Sequence, residues 1–228
     1  MNLSVKKLVP LLCVLMLCAG TAAASATDAT YQYRILHPRY GDIGTYSNIV
    51  RQTGDTTEVS TQLNVAVKVL GIVMYREEAT RTEHWQGNRL VAFEGVTVTN
   101  GARLEVRGEA KGDNFVVSTP SGNVTAPGKV HPSNPWALAV LNTDFMMSTK
   151  SGRVDKVTVT GGKEEAVTFD GKPQRLKQFE IDGPKRQFVW IDNNDTVVAF
   201  RTEEDGSPID FILTRREASD SAQQSAQH

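Results

Sequence analysis

The sequence predicts an all-β fold: a long, curved antiparallel meander forming an open or partly closed barrel, with one short helix packed against it. Three observations predict this. Thr57 to Tyr75 alternates with a period of two residues. Val59, Thr61, Leu63, Val65, Val67 and Val69 fall on one side, and Glu58, Ser60, Gln62, Asn64, Ala66 and Lys68 on the other, the mark of a half-buried strand. Turn signals then recur about every ten residues, with Val-, Thr- and Phe-rich runs between them, as in a meander. Only one stretch, Ser133 to Leu141, has the signals of a helix.

Taken in order, the chain starts with an address. Residues 1–24 combine Lys6 and Lys7, an apolar run from Leu8 to Leu17, and Ala22-Ala23-Ala24. This is the layout of a cleaved secretory leader, and its apolar run is short for a membrane span. Leu17 stands where a lipid-attachment motif needs a small residue, so Cys18 is not expected to carry lipid. Cys13 and Cys18 both leave with the leader, and the mature chain must hold together without disulfides. Removal of Lys6 and Lys7 leaves 23 basic against 26 acidic residues, a net charge of −3. That balance gives no basic stripe for nucleic acid. No later apolar run is long enough to cross a membrane. The expected organisation is a leader at 1–24, one β domain at 25–216 and a disordered polar tail at 217–228. A monomer in the periplasm or secreted medium is expected.

Tyr31 to His37 predicts a first strand, and Ile43 to Gln52 a second after the Pro38–Asp42 break. Thr53-Gly54-Asp55 turns into the long alternating stretch. Gly87-Asn88 and Asn100-Gly101 are two-residue hairpin signals. Taken as such, the first places Arg81 opposite Glu94, and the second places Glu94 opposite Arg107 and Phe93 opposite Gly108. The wet face then carries Arg103, Glu105 and Glu109. The buried face carries Val91, Phe93, Ala102, Leu104 and Val106, with Phe93 covering Gly108. These registers bury Thr82 and His84, although odd-numbered residues are buried earlier in the same run. A β-bulge or sharp bend at Gly71 resolves the conflict, with Glu77-Glu78 as the alternative position. Further on, Ser133-Asn134-Pro135 supplies a capping residue and a proline for the first turn of a helix over Asn134–Leu141.

A search for chemistry finds no nucleophile elbow, no zinc-protease motif, no phosphate loop and no cysteine metal site. No catalytic residue, metal site or cofactor is expected. Asp192-Asn193-Asn194-Asp195 lacks the full calcium-loop pattern and reads as a turn. Five residues are candidate ligand contacts. Met74 lies in the doubly apolar stretch Val69–Tyr75, where the sheet should bend. Phe93 and His84 fall on the face assigned to the interior, where His84 reads first as a hydrogen-bonded core side chain and second as a ligand contact. Trp136 lies on the helix and Trp190 in a late strand; both also read as packing.

The motifs Glu83-His84-Trp85-x-Gly87-x-x-Leu90, Thr97-x-x-Asn100-Gly101, Val189-Trp190-x-Asp192 and Asp205-Gly206-Ser207 resemble a bacterial exported family, domain of unknown function 6134. The resemblance spans about Tyr31 to Leu213 and carries over no functional residues. Its layout is similar to periplasmic lipoprotein carriers, in which helix covers the concave side of an unclosed barrel; one short helix is fewer than those carriers have. The leading expectation is an exported, non-enzymatic binding protein that holds an apolar small molecule or lipid, or an envelope protein, in the sheet concavity. The alternatives are an envelope assembly factor acting through a sheet edge, and an unrecognised enzyme centred on His84.

Overall fold

The first eight strands follow one another as hairpins: β1 (Ala26–His37), β2 (Gly41–Thr53), β3 (Thr56–Val69), β4 (Ile72–Gln86), β5 (Arg89–Thr99), β6 (Ala102–Lys111), β7 (Asn114–Thr119) and β8 (Gly122–Pro127). A second run contains β12 (Thr158–Phe169), β13 (Lys172–Asp182), β14 (Gln187–Ile191), β15 (Val197–Glu204) and β16 (Ser207–Asp220). Between them lie three short strands, β9 (His131–Pro132), β10 (Phe145–Met147) and β11 (Val154–Lys156), which form their own small sheet. The computed structural model describes residues 26–169 and 171–220. The leader at 1–24, both cysteines and residues 221–228 lie outside the described residues.

The two runs meet where β16 pairs with β1, giving a 13-stranded antiparallel sheet in the order β12-β13-β14-β15-β16-β1-β2-β3-β4-β5-β6-β7-β8. Its edges, β12 and β8, do not pair, so the barrel is open. Its interior holds two apolar clusters. One gathers Tyr33, Ile35, Tyr46, Leu63, Phe200 and Phe211. The other gathers Trp85, Leu90, Phe93, Phe115, Val117 and Met147. The segment from β9 to β11 contributes to both, through Leu141 and Met146 in the first and Val140 and Met147 in the second, and so plugs the concavity. No helix among the described residues is long and apolar enough to cross a membrane.

The plug is not the expected helix. Only Leu138–Leu141 turns, as a single 3₁₀ turn, and Ala137 before it is extended at φ −150° and ψ 159°. The reason lies in Asn134. Its side chain caps nothing and instead bonds to the sheet. A side chain committed to other partners cannot stabilise a helix N-terminus.

Thr57–Tyr75 is likewise not one strand. The chain does break at Gly71, but by reversing completely: Leu70 and Gly71 form the turn of the β3–β4 hairpin, with φ of 51° and 82°. A bulge leaves Met74 unpaired between Tyr75, opposite Val67, and Val73, opposite Lys68. Odd-numbered residues face inward in both strands, including Arg81, Glu83 and Trp85. The burial expected for Thr82 and His84 is therefore corrected. The cause is a bulge at Val91, because Trp85 pairs with Leu90 and His84 with Ala92. It moves Glu94 opposite Thr82 instead of Arg81. The Asn100-Gly101 register holds, with Phe93 opposite Gly108 and Glu94 opposite Arg107. Gly108 is covered by the Phe115 ring, while Phe93 packs over Gly95. On this buried face Phe93 and Val106 are enclosed, Val91 and Leu104 are half-buried, and Ala102 is exposed.

The carboxyl-terminal strand runs past Glu217, where a disordered tail was expected to start. Residues Glu217 to Asp220 pair with Thr30 back to Thr27. Composition marks this segment as polar, yet β1 offers it a complete hydrogen-bond ladder. Arg216 anchors it over the Tyr31 ring and donates to Thr196 Oγ1 at 2.7 Å.

Among the described residues, three hairpins turn through two positive-φ residues: Asn100-Gly101, Asp205-Gly206 and Leu70-Gly71. Asn and Asp tolerate this conformation, whereas a left-handed leucine carries a penalty of roughly 1–2 kcal/mol. Leu70 is 98% exposed and gains no packing in return. Leu70→Asn should therefore raise stability by about 1 kcal/mol, seen as a rise of about 2–4 °C in thermal midpoint. An unchanged or lowered midpoint would show that the turn carries no strain.

Candidate functional site

Inward-facing positions of β4 should be apolar if their only role were packing. Glu77, Arg81 and Glu83 occupy three of them, with Ala79 and Trp85. Each of the three is more than nine-tenths buried. Buried charges are tolerated only with partners.

Glu83 has them. It is completely enclosed. Its Oε1 accepts from Asn134 Nδ2 at 2.7 Å. Its Oε2 accepts from Trp85 Nε1 at 3.0 Å and Trp136 Nε1 at 3.1 Å. Asn134 continues the network, accepting at Oδ1 from the Tyr46 hydroxyl and from Asn48 Nδ2. Thr61 donates to Asn48 Oδ1 at 2.7 Å. Burial holds the Tyr46 phenol above its ordinary value, against the charge of Arg81, so Tyr46 remains a donor. Burial also pushes the Glu83 carboxyl up from 4.5 to about 7, against its three N–H donors and Arg81.

Glu77 is held the other way. Burial would raise its pKa, but Lys150 Nζ at 2.5 Å, the Tyr75 hydroxyl and Thr99 Oγ1 at 3.1 Å all donate to it. Together they lower it below the ordinary carboxylate value. Lys150 comes from the plug, so this ion pair also ties plug to sheet.

Between plug and sheet lies a cavity of about 1260 Å³. Its apolar wall includes Ile35, Leu63, Val65, Phe200, Ile209 and Phe211. Tyr46, Glu77 and Arg81 also line it. Its rim carries Arg39, Tyr40, Lys185 and Asp205, and it opens there to solvent. The volume exceeds the roughly 300–1,000 Å³ of ordinary small-molecule sites.

The sequence-derived candidates distribute unevenly around this cavity. Met74 lines it, at the bulge near the exposed hairpin tip. Phe93 is wholly buried in the second core cluster. Trp136 packs edge-on against Trp85 and donates to Glu83, beneath the cavity. His84 lies on the opposite face of β4, with Nδ1 3.8 Å from Glu58 Oε2. Trp190 alternates with the inward Val189 and Ile191, and so faces away from the interior. There it packs with Leu176, Ala199 and Phe169, beneath the Arg201 guanidinium at 5.7 Å. Sequence reasoning missed Tyr46, Glu77, Arg81, Glu83, Asn134 and Lys150 as site residues. The available signal was charge at the buried parity of an alternating strand, and the wrong β4–β5 register hid it. Among the described residues, no group of three metal-ligating side chains comes together.

The family model for domain of unknown function DUF6134 matches residues 33–214. The chain belongs to this family. None of the curated proteins matches it. Among solved structures, the DUF6134 chain is similar to a β-barrel-like protein of domain of unknown function DUF1849 from Brucella abortus. The TM-score is 0.63 at 12% identity, over 86% of this chain and 99% of that one. At that identity the likeness concerns the fold alone. It supports an open, barrel-like β architecture for the DUF6134 domain.

The raised carboxyl of Glu83 has a defined consequence for stability. The folded state holds this proton more tightly than the unfolded chain does. Its stabilising contribution is complete below about pH 4.5 and is lost as pH rises through about 7. The full span corresponds to about 3 kcal/mol. Denaturant titrations at pH 5 and pH 8 should show wild type losing much of this amount, while Glu83→Gln lacks the component. Parallel pH dependences for the two proteins would remove the assignment.

Proposed function

We propose that this protein is an exported binding protein that holds an apolar ligand, a small molecule or lipid, in the cavity between plug and sheet. The observation that carries this reading is the cavity itself: about 1260 Å³, walled by Leu63, Val65, Phe200 and Phe211, and open at the rim. Its inner wall presents aliphatic and aromatic side chains to a space open to solvent, so that covering them with an apolar ligand is favourable. Export follows from the leader at 1–24, and the protein works in the periplasm or outside the cell. Binding without turnover fits the position of His84, whose ring lies beside Glu58 on the outer face. Action through a sheet edge fits the structure less well. Strand β8 is short and ends in Pro127, and β12 is broken by a register shift at Gly161–Lys163. Both devices discourage edge pairing.

A neutral apolar fluorophore, N-phenyl-1-naphthylamine, tests the reading. It should bind saturably to wild type, and Val65→Trp, which places an indole in the cavity, should weaken it at least about tenfold. Native mass spectrometry of the protein from its own host should show a co-purifying apolar molecule. Absence of saturable probe binding to wild type would sink the proposal.

A further inference from the structure

Arg81 is the one inward charge of β4 with neither an ion pair nor a side-chain hydrogen bond among the described residues. It is 8% exposed and lines the cavity. Its Nε is buried without a hydrogen-bond partner. Carboxylates flank it on the same face of the same strand, yet both are taken. Glu77 accepts from Lys150, Tyr75 and Thr99. Glu83 accepts from Asn134, Trp85 and Trp136. The Tyr46 hydroxyl donates to Asn134 Oδ1, and Arg81 makes no hydrogen bond to its oxygen. A guanidinium at the wall of an apolar cavity, with its neighbouring acids engaged elsewhere, is costly unless an anion completes it.

We propose that Arg81 is a headgroup-recognition residue, and that the cavity takes a single-chain amphiphile bearing one carboxylate, the chemical class of a long-chain fatty acid. This rests on the cavity-binding reading above and specifies its ligand. The planar guanidinium fork matches a carboxylate with two parallel N–H···O bonds. Arg81 is the cation open to a ligand here, because Lys150 is already paired with Glu77 at 2.5 Å. A phosphate dianion would bring a second negative charge toward the two buried acids Glu77 and Glu83, and a carboxylate only one. The apolar chain of the ligand lies against Leu63, Val65, Phe200 and Phe211, which share the cavity with Arg81.

The test is displacement of N-phenyl-1-naphthylamine at pH 8 by palmitate, 1-hexadecanol and hexadecyl phosphate, on wild type, Arg81→Gln and Arg81→Lys. For wild type, palmitate should bind about 10- to 100-fold more tightly than hexadecanol, the range expected of a charge-assisted hydrogen-bonded pair. Arg81→Gln should bring that ratio to within about twofold, chiefly by loss of palmitate affinity. Arg81→Lys, which keeps the charge and loses the fork, should fall between them, and it carries the test if Arg81→Gln does not fold. Equal affinities of wild type for palmitate and hexadecanol overturn the role of Arg81 but leave the cavity reading standing. A ratio that survives both substitutions overturns it too, and hexadecyl phosphate binding more tightly than palmitate overturns the carboxylate class. Failure of the neutral probe to bind wild type overturns the cavity reading and this inference with it.

Discussion

The hydrogen bonds of Asn134 hold this molecule in its shape. One amide side chain from the plug reaches across to Tyr46 and Asn48 on β2, Thr61 on β3 and Glu83 on β4. It thereby fixes the distance between plug and sheet at one point. Trp136, two residues on, adds a second bond to the same carboxylate. With the plug pinned here and by Lys150 to Glu77, the sheet can curve around it without collapsing onto it. The cavity is the space that this spacing leaves. A buried polar network of this kind specifies one arrangement because each member is useful only where its partners are. An apolar contact of equal area would permit sliding.

That arrangement unites two things that usually conflict. The cavity wall is apolar and would close if it could, whereas the charged groups of β4 resist burial without partners. Glu83 and Glu77 have partners in the plug, so they stabilise the open geometry instead of opposing it. Arg81 lies between them and faces the empty space. The site is thus a sheet strand whose polar residues are divided between holding the structure together and meeting what enters it.

Much of this was legible in the residues, and the failures have identifiable causes. Asn100-Gly101 is a turn pair with a strong conformational preference, and the β5–β6 register followed from it residue for residue. Leu70-Gly71 is the same turn made with a leucine, so the most regular alternation in the chain concealed a complete reversal. The bulge at Val91 has no composition of its own. It shifted one register by one residue and moved Arg81 and Glu83 from the interior to the wet face in the sequence reading. Asn134 was legible as a polar residue before a proline, which describes a helix cap equally well. Its actual partners lie 51 to 88 residues away, and no local pattern encodes them. The β architecture was local information; the site was not.

The pairing of β1 with β16 sets the order in which all of this can assemble. Thr27 lies opposite Asp220, so the two meanders are joined along a seam between the first and last described strands. Each meander can form from local hairpins, but the seam requires closure of a loop of nearly the whole described chain. The entropy of that step is on the order of 4–5 kcal/mol, recovered only when the ladder zips. Such long-range contacts make for slow folding. The concave wall is shared across the seam, with Leu63 on β3 and Phe200 and Phe211 on β15 and β16. The cavity therefore does not exist in either half alone, and it forms only when the final strand has been made and has docked. A chain that lacks its last strand can therefore build hairpins on either side of the seam, but neither the seam nor a site for a ligand.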